Sequence, residues 1–191
     1  MSTLAIALSF CLLFAVARAQ QAPQAPLPTL RQASHFAPAL QRQNGYLISL
    51  PAGYDAPENR HKRYPVLYLL HGLGASPQDF TRYADIRPFL APYELIVVMP
   101  EGRDSWYVNS TAIPANRYED YLVNDLPQHL AAHYRVAPGP QAIAGISMGG
   151  FGAVHLALRH PGRYFFAASL SGPLGVPANY AALAQGSGPG F

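Results

Sequence analysis

The stretch Gly145-Ile146-Ser147-Met148-Gly149 decides the fold, because the residue pattern changes from strand to helix across it. Residues 141–144 are typical of a short buried strand, and residues 151–160 are typical of an apolar helix that ends before Pro161. Ser147 is therefore predicted to lie on a tight strand-to-helix turn, the arrangement of a nucleophile elbow, which its flanking glycines permit. The alternative interpretation is a merely structural Gly/Ser turn.

A second loop carries the groups that such a serine needs. His71-Gly72-Leu73-Gly74 follows an apolar strand predicted at residues 64–70. Acyl transfer at an ester builds negative charge on the carbonyl oxygen, and two fixed backbone N–H groups stabilise that charge. The donors would be Leu73 and Met148, since the N–H of a residue that opens a helix has no intrahelical partner. The alternative is that the two glycines only turn the chain after a strand.

A family pattern runs from about residue 44 to about residue 175. Its segments are residues 64–72, 97–102, 105–107, 118–122, 144–150 and 169–172. They resemble a group of α/β-hydrolases that includes esterase D, feruloyl and acetyl-xylan esterases and the antigen 85 mycolyltransferases. The resemblance implies a three-layer α/β-hydrolase fold with a mostly parallel sheet, with Ser147 as nucleophile and Leu73 and Met148 as oxyanion donors. It also implies that Trp106, Tyr107 and Gly72 lie at the substrate, and no cofactor is predicted.

The chain departs from that family where the rest of the catalytic triad is expected. In α/β-hydrolases the acid and then the base follow the serine along the chain. The 44 residues after Ser147 contain no Asp or Glu, and their two histidines, His155 and His160, lie on the predicted helix. His155 would be displaced by about 12 Å along that helix. We therefore expect the acid, the base and the final strands to be missing, which leaves residues 165–170 as a sheet edge.

Four segments are predicted along the chain. Residues 1–19 resemble a secretory signal peptide, because an apolar run precedes Ala17-Arg18-Ala19, a small-x-small cleavage site. An uncleaved anchor is the alternative, since no Lys or Arg precedes that run. Residues 20–43 are predicted to be a Pro/Ala/Gln-rich leader outside the core, residues 44–175 a partial α/β-hydrolase domain and residues 176–191 an irregular tail.

Charge and cysteine content exclude several other classes. The net charge is only +3, so no nucleic-acid partner is predicted. The single cysteine, Cys11, lies in the signal peptide, which leaves no disulfide and no thiol nucleophile. His129 and His133 have the spacing of a zinc-binding pair, but Leu130 stands where the zinc motif needs Glu. A solvated helix face is the expected interpretation, and no metal is predicted.

Two functions from different classes remain. The first is a secreted or periplasmic serine esterase that hydrolyses small-molecule or carbohydrate-linked carboxylic esters through an acyl-enzyme on Ser147. The second is a catalytically incompetent, hydrolase-like binding domain, and an acyltransferase of the mycolyltransferase type is a further alternative. No stable membrane insertion is expected after signal cleavage, and no oligomeric state is predicted.

Overall fold

A six-stranded sheet organises residues 25–175, the part of the chain that the structure, a computed structural model, describes. The strands are β1 (Thr29–Ala37), β2 (Arg42–Leu50), β3 (Val66–Leu70), β4 (Ile96–Pro100), β5 (Gln141–Ile146) and β6 (Tyr164–Leu170). Their order across the sheet is β1-β2-β4-β3-β5-β6. β1, β2 and β4 pair antiparallel, whereas β4, β3, β5 and β6 pair parallel. The signal peptide predicted at residues 1–19 and the tail predicted at residues 176–191 lie outside the described residues.

Helices cover both faces of this sheet. They are α1 (Asp79–Arg82), α2 (Arg87–Leu90), α3 (Tyr118–Asp120), α4 (Leu126–His133) and α5 (Met148–Arg159), with short 3-10 helices at Pro38–Leu40 and Pro57–Asn59. Side chains of α3, α4 and α5 pack on one face, and those of α1 and α2 pack on the other. The predicted three-layer α/β-hydrolase fold with a mostly parallel sheet is confirmed. Among residues 25–175, no helix combines the length and the hydropathy needed to cross a bilayer.

The parallel strands bring the two predicted site loops together. In the register of β3 and β5, Leu70 pairs with Gly145, so both strands end at the same edge of the sheet. Loops that leave the carboxyl ends of adjacent parallel strands meet there, the usual ligand position of open α/β sheets. The chain therefore places the loop that begins at His71 beside the turn that contains Ser147.

The expectation that residues 20–43 lie outside the core is wrong for its second half. β1 pairs with β2 along nine residue pairs, and the buried side chains of Ala37 and Leu40 join the core. β1 is held mainly by main-chain hydrogen bonds at the edge of the sheet, so most of its side chains face solvent and carry no apolar alternation. The folded domain begins near Thr29 rather than near Asn44.

Residues 118–133 form three consecutive helical segments rather than one regular α-helix. A π-helical turn, Tyr121–Asp125, separates α3 from α4. Pro127, near the start of α4, has no N–H to donate to the preceding turn, and the wider π turn accommodates this loss. Pro127 therefore lies directly after a change of helix type, and the helical segment continues through it.

β6 is the last strand on its side of the sheet within the described residues, as the sequence predicts for residues 165–170. Three of its large apolar side chains are half exposed or more: Phe165, Phe166 and Leu170. Helix α5 packs against one face of the strand, and β5 is its only strand partner among residues 25–175. Within residues 25–175, this flank is less covered than the centre of the sheet.

Candidate active site

Ser147 occupies a strained backbone conformation at the junction of β5 and α5. Its φ of 53° and ψ of −119° lie in a region that costs a non-glycine residue about 1–3 kcal/mol. Its N–H donates to Leu170 O at 2.8 Å, and its carbonyl accepts the Phe151 N–H at 3.0 Å. These two bonds fix the turn from both sides, and the serine itself is exposed.

The two glycines of the turn are required by close backbone packing. A Cβ atom on Gly145 would lie 2.3 Å from the carbonyl carbon and oxygen of Gly149. A Cβ atom on Gly149 would lie 2.1 Å from Leu70 O, at the end of β3. Neither distance can accommodate a side chain, so α5 can start directly against the ends of β3 and β5 only with glycine at both positions.

The loop after β3 reaches the serine, as the sequence predicts. A Cβ atom on Gly72 would lie 3.4 Å from Ser147 Cβ, so the two residues are in van der Waals contact range. Leu73 follows with an exposed side chain, and Met148 opens α5 with its side chain fully buried. The structure therefore places Gly72 beside the turn that contains Ser147, and the assignment of Leu73 and Met148 as oxyanion donors stays a prediction.

A cavity of about 640 Å³ begins one helical turn from Ser147. Trp106 and Phe151 form its aromatic wall, with ring centroids 5.6 Å apart in an edge-to-face arrangement. Asp104, Asn109, Ser110 and Asn116 also line it. The expectation that Trp106 lies near the site is consistent with this geometry. Sequence reasoning missed Phe151, although its position four residues after Ser147 places both on one helix face.

Tyr107 does not line this cavity, and the expectation that its side chain contacts substrate needs correction. The residue is fully buried, and both Trp106 and Tyr107 adopt positive φ angles, which turn the second ring inward. The Tyr107 ring fills the space where a Cβ on Gly102 or Gly152 would stand, and its hydroxyl donates to His71 O at 3.0 Å. Burial, with the nearby negative charge of Glu101, raises the pKa of the Tyr107 phenol well above its usual value.

His155 and His160 serve a buried ion cluster rather than the serine. Both rings lie within hydrogen-bond range of the Glu119 carboxylate, at 3.3 Å and 2.9 Å respectively, and Arg159 Nε donates to the same group at 2.9 Å. Burial raises the pKa of Glu119, but the hydrogen bonds from Arg159, His160 and His155 outweigh it and lower the pKa overall. His155 lies on α5 and His160 directly follows it, as the sequence predicts, and neither ring is directed at Ser147 in the contacts that the described residues make.

His129 is partly buried, which corrects the expectation of a solvated helix face for this residue, whereas His133 is exposed as expected. The His129 ring stacks on His35 with centroids 4.2 Å apart, and its Nε2 lies 2.9 Å from the Tyr46 hydroxyl. Burial, together with the neighbouring His35 and His133, lowers the pKa of His129 to about 4. Among residues 25–175, no group of three or more His, Cys, Asp or Glu side chains has an arrangement that could hold a metal ion.

Two aspartates that precede the serine have structural partners. Asp125 accepts the Ala39 N–H at 2.8 Å, which ties the segment after β1 to the start of α4. Asp120 pairs with the Arg117 guanidinium and accepts a hydrogen bond from the Asn109 side chain at 3.0 Å. Both carboxylates belong to the helical segments between Tyr118 and Asp125 and are used in these structural contacts.

Comparison with known proteins agrees with this architecture. The sequence profile of a family described as "Putative esterase" matches residues 37–180. Esterase Rv1288 of Mycobacterium tuberculosis is 34% identical over 143 residues, which are 71% of this chain and 30% of that protein. The structure of a ferulic acid esterase is 27% identical with a TM-score of 0.62, over 72% of this chain and 57% of the other. M. tuberculosis MPT51 (FbpC1) is 29% identical with a TM-score of 0.67, over 82% of this chain and 57% of the other.

This chain spans only part of the length of each of these relatives. The chain spans 30% of the length of the curated mycobacterial relative and 57% of the two solved chains. The family profile nevertheless covers most of this chain, including the loop after β3, the turn at Ser147 and all of α5. The chain belongs to the "Putative esterase" family and has the α/β-hydrolase fold.

Proposed function

We propose that this protein hydrolyses carboxylic esters through a covalent acyl-enzyme on Ser147. The observation that carries the proposal is the exposed, strained Ser147 at a strand-to-helix turn, with Gly72 against its side chain. Backbone strain of this kind persists only where surrounding contacts impose it, and it concentrates at functional sites. Membership in an esterase family supports the same reaction class.

The reaction proceeds in two steps. Ser147 Oγ attacks the ester carbonyl carbon while its proton passes to a base, and the carbonyl oxygen becomes an oxyanion that accepts hydrogen bonds from the N–H groups of Leu73 and Met148. When this intermediate collapses, the C–O bond to the alcohol breaks and the alcohol leaves with a proton. Water then attacks acyl-Ser147 in the same way, which releases the acid and restores the serine.

The described histidines offer no base for Ser147, so we infer that the base, and with it the acid that follows the serine in this fold, comes from outside residues 25–175. All seven histidines of the chain lie in that range. Six have partners other than Ser147: His35, His129 and His133 stack together, His155 and His160 bind Glu119, and His71 has both ring nitrogens in hydrogen bonds to backbone. The seventh, His61, is exposed in the segment before β3. None of these positions supports proton transfer from Ser147, because a general base must lie within hydrogen-bond reach.

The cavity supports a small-molecule or carbohydrate-linked ester as substrate. Its volume of about 640 Å³ lies within the usual range of small-molecule sites, and Trp106 and Phe151 offer apolar surface to the acyl group. A relative named ferulic acid esterase supports the same substrate class.

We also propose that the protein acts outside the cytoplasmic membrane, on the strength of the signal-peptide pattern at residues 1–19. N-terminal sequencing should find Gln20 first, and a chain that still begins at Met1 in the membrane fraction would contradict secretion.

Chemical rescue tests the reaction directly. If Ser147 and its donors are in place and only the base is absent, added imidazole should act as the base. We expect the purified chain to release 4-nitrophenol from 4-nitrophenyl acetate slowly, and imidazole to increase this rate at least about tenfold more than it does with Ser147→Ala. The Ser147→Ala protein measures the reaction of imidazole with the ester in solution.

A matched variant shows whether the loss of activity is specific to Ser147 or follows from removing any exposed serine hydroxyl. Ser34→Ala removes the same hydroxyl from an exposed position of β1 and should behave as the unchanged chain. Equal imidazole dependence in the unchanged chain and in Ser147→Ala would contradict the role of Ser147. Turnover at ordinary enzyme rates without imidazole, lost in Ser147→Ala, would instead show that the base lies within this chain.

A further inference from the structure

The side chain of His71 is buried directly behind the loop that carries the proposed oxyanion donor. It is 1% exposed, with Nδ1 2.8 Å from Gly72 O and Nε2 2.9 Å from the Gly102 nitrogen. A backbone N–H can only donate, so Nε2 is the acceptor in the second contact. Nδ1 therefore carries the ring proton and donates it to Gly72 O. The Glu101 carboxylate lies 3.4 Å from Nε2, a longer contact than the one with the Gly102 N–H.

This hydrogen bond fixes the orientation of one particular peptide group. The carbonyl of Gly72 and the N–H of Leu73 belong to the same planar trans peptide and point in opposite directions. Gly72 O also accepts the Ala75 N–H at 3.2 Å, so two donors hold that carbonyl. The Leu73 N–H is consequently directed away from the His71 ring. A flip of this peptide would break both hydrogen bonds and would point an oxygen where the oxyanion needs a donor.

Tyr107 contacts both the main chain and the ring of His71. Its hydroxyl donates to His71 O at 3.0 Å, and the two rings meet edge to face with centroids 5.9 Å apart. Because the Tyr107 ring is itself wedged against Gly102 and Gly152, it connects the loop after β3 to helix α5. Both the main chain and the side chain of His71 are thus restrained by one buried residue.

We propose that His71 is a positioning residue that keeps the Gly72–Leu73 peptide in its donating orientation, with Tyr107 as its support. The role of this peptide as an oxyanion donor rests on the proposed function. The orientation of the peptide, in contrast, is a property of the loop that can be measured without catalysis. The N–H at Nδ1 determines the orientation of the Gly72–Leu73 peptide, and the acceptor at Nε2 keeps the His71 ring in position.

Two substitutions separate the two ring nitrogens. His71→Asn retains an amide N–H on the atom that occupies the Nδ1 position, whereas His71→Gln places its amide near the Nε2 position. The Gln variant can still accept the Gly102 N–H but loses the donor to Gly72 O. We expect His71→Gln to lower the Ser147-dependent, imidazole-rescued kcat by about tenfold or more at unchanged KM, and His71→Asn to remain within about threefold of the unchanged chain. His129→Gln is the matched control for replacing a partly buried histidine, and its kcat should be unchanged.

Amide hydrogen exchange supplies the readout that does not need activity. The Ala75 N–H is protected by Gly72 O, so its exchange should accelerate in His71→Gln and stay slow in His71→Asn. Equal kcat and equal Ala75 exchange in the two variants would overturn the inference. If the unchanged chain shows no Ser147-dependent rate at all, the proposed function fails. In that case the Ala75 exchange alone decides the positioning role, with a difference supporting it and equality overturning it.

A milder variant keeps the test usable if both His71 variants unfold. Tyr107→Phe removes only the hydroxyl that donates to His71 O. We expect a loss of about threefold to tenfold in the rescued kcat at unchanged KM, with a measurable increase in Ala75 exchange. Unchanged kcat and unchanged exchange in a folded Tyr107→Phe protein would contradict the supporting role of Tyr107 and, with it, the proposal.

Discussion

β4 and β6 have similarly apolar sequences but very different surroundings. Every residue of β4 is buried, because β2 and β3 flank it and helices cover both faces of the sheet. In β6, Phe165 is 67% exposed and Phe166 is 50% exposed. Apolar sequence therefore predicts the strand in both cases, whereas burial depends on which elements lie next to it. Among residues 25–175, the centre of the sheet is covered on both faces and flanked by strands on both sides. The β6 flank, in contrast, has exposed apolar side chains.

The turn at Ser147 depends on both regions. Gly149 packs against Leu70 O at the covered centre of the sheet, and the Ser147 N–H donates to Leu170 O at the β6 flank. The contacts from β6 are made by its backbone and by the end of the strand, which remain paired with β5. The site can therefore be rigid although the outer face of β6 is exposed. Substitutions at the covered centre of the sheet should therefore lower the free energy of unfolding more than substitutions at the exposed β6 flank.

The largest effect is expected where backbone packs against backbone at the covered centre of the sheet. Gly149→Ala would place a Cβ atom 2.1 Å from Leu70 O, so β3 and α5 must separate. We expect a loss of about 4 kcal/mol in the free energy of unfolding, measured by urea denaturation. Gly45→Ala is the matched control, because its Cβ would lie 3.8 Å from Ala33 O, an ordinary contact, and should change stability by about 0.5 kcal/mol or less. Similar losses in both variants would contradict the close packing of the turn.

A second pair of substitutions compares the two strands themselves. Ile96→Ala in β4 removes a fully buried side chain and should cost about 3 kcal/mol, because it leaves a cavity in the core. Phe165→Ala in β6 removes a larger side chain that is 67% exposed, and it should cost about 0.5 kcal/mol or less. Urea denaturation of both variants checks this. A loss at Phe165 as large as that at Ile96 would show that the β6 flank is covered in solution.

The smallest effect is expected in acid, on the side of the sheet where β1 packs against α4. Burial, with His35 and His133 nearby, lowers the pKa of His129 to about 4, whereas an unfolded histidine titrates near 6.5. Between these pH values the unfolded chain binds more protons, so stability is complete above about pH 6.5 and falls as the pH decreases toward 4. Because solvent reaches part of the ring, we expect a loss of about 1–2 kcal/mol over this range.

The control for this effect is a variant without the titrating ring. Urea denaturation of His129→Gln should show a smaller decrease of stability between pH 6.5 and pH 4 than the unchanged chain. Parallel pH profiles in the two proteins would mean that the partly buried His129 ring does not set the acid response. The experiment therefore tests whether the β1 side of the molecule is packed as tightly as the described contacts require.

The sequence predicts the parts of this molecule that local sterics determine. Gly145 and Gly149 mark the turn because no other residue fits there, and the apolar runs of β3 to β6 mark the sheet. β1 was missed because main-chain pairing at a sheet edge needs no apolar pattern. The inward rotation of Tyr107 was missed because it depends on two successive positive φ angles, which residues 106 and 107 do not suggest. The partners of His71 and Glu119 come from distant segments, so spacing along the chain could not identify them.

The identity of the nucleophile is the central claim, and the covalent intermediate tests it most directly. The chain is incubated with 4-nitrophenyl acetate and imidazole, stopped in acid and digested, and the peptides are analysed by mass spectrometry. We predict one acetyl group on Ser147, because turnover with imidazole as the base passes through this acyl-enzyme and the acid stop traps the part that has not yet been hydrolysed. The Ser147→Ala protein should carry no acetyl group on the corresponding peptide. Faster ester cleavage than in Ser147→Ala without acetylation of Ser147, or the same acetylation pattern in both proteins, would contradict the acyl-enzyme.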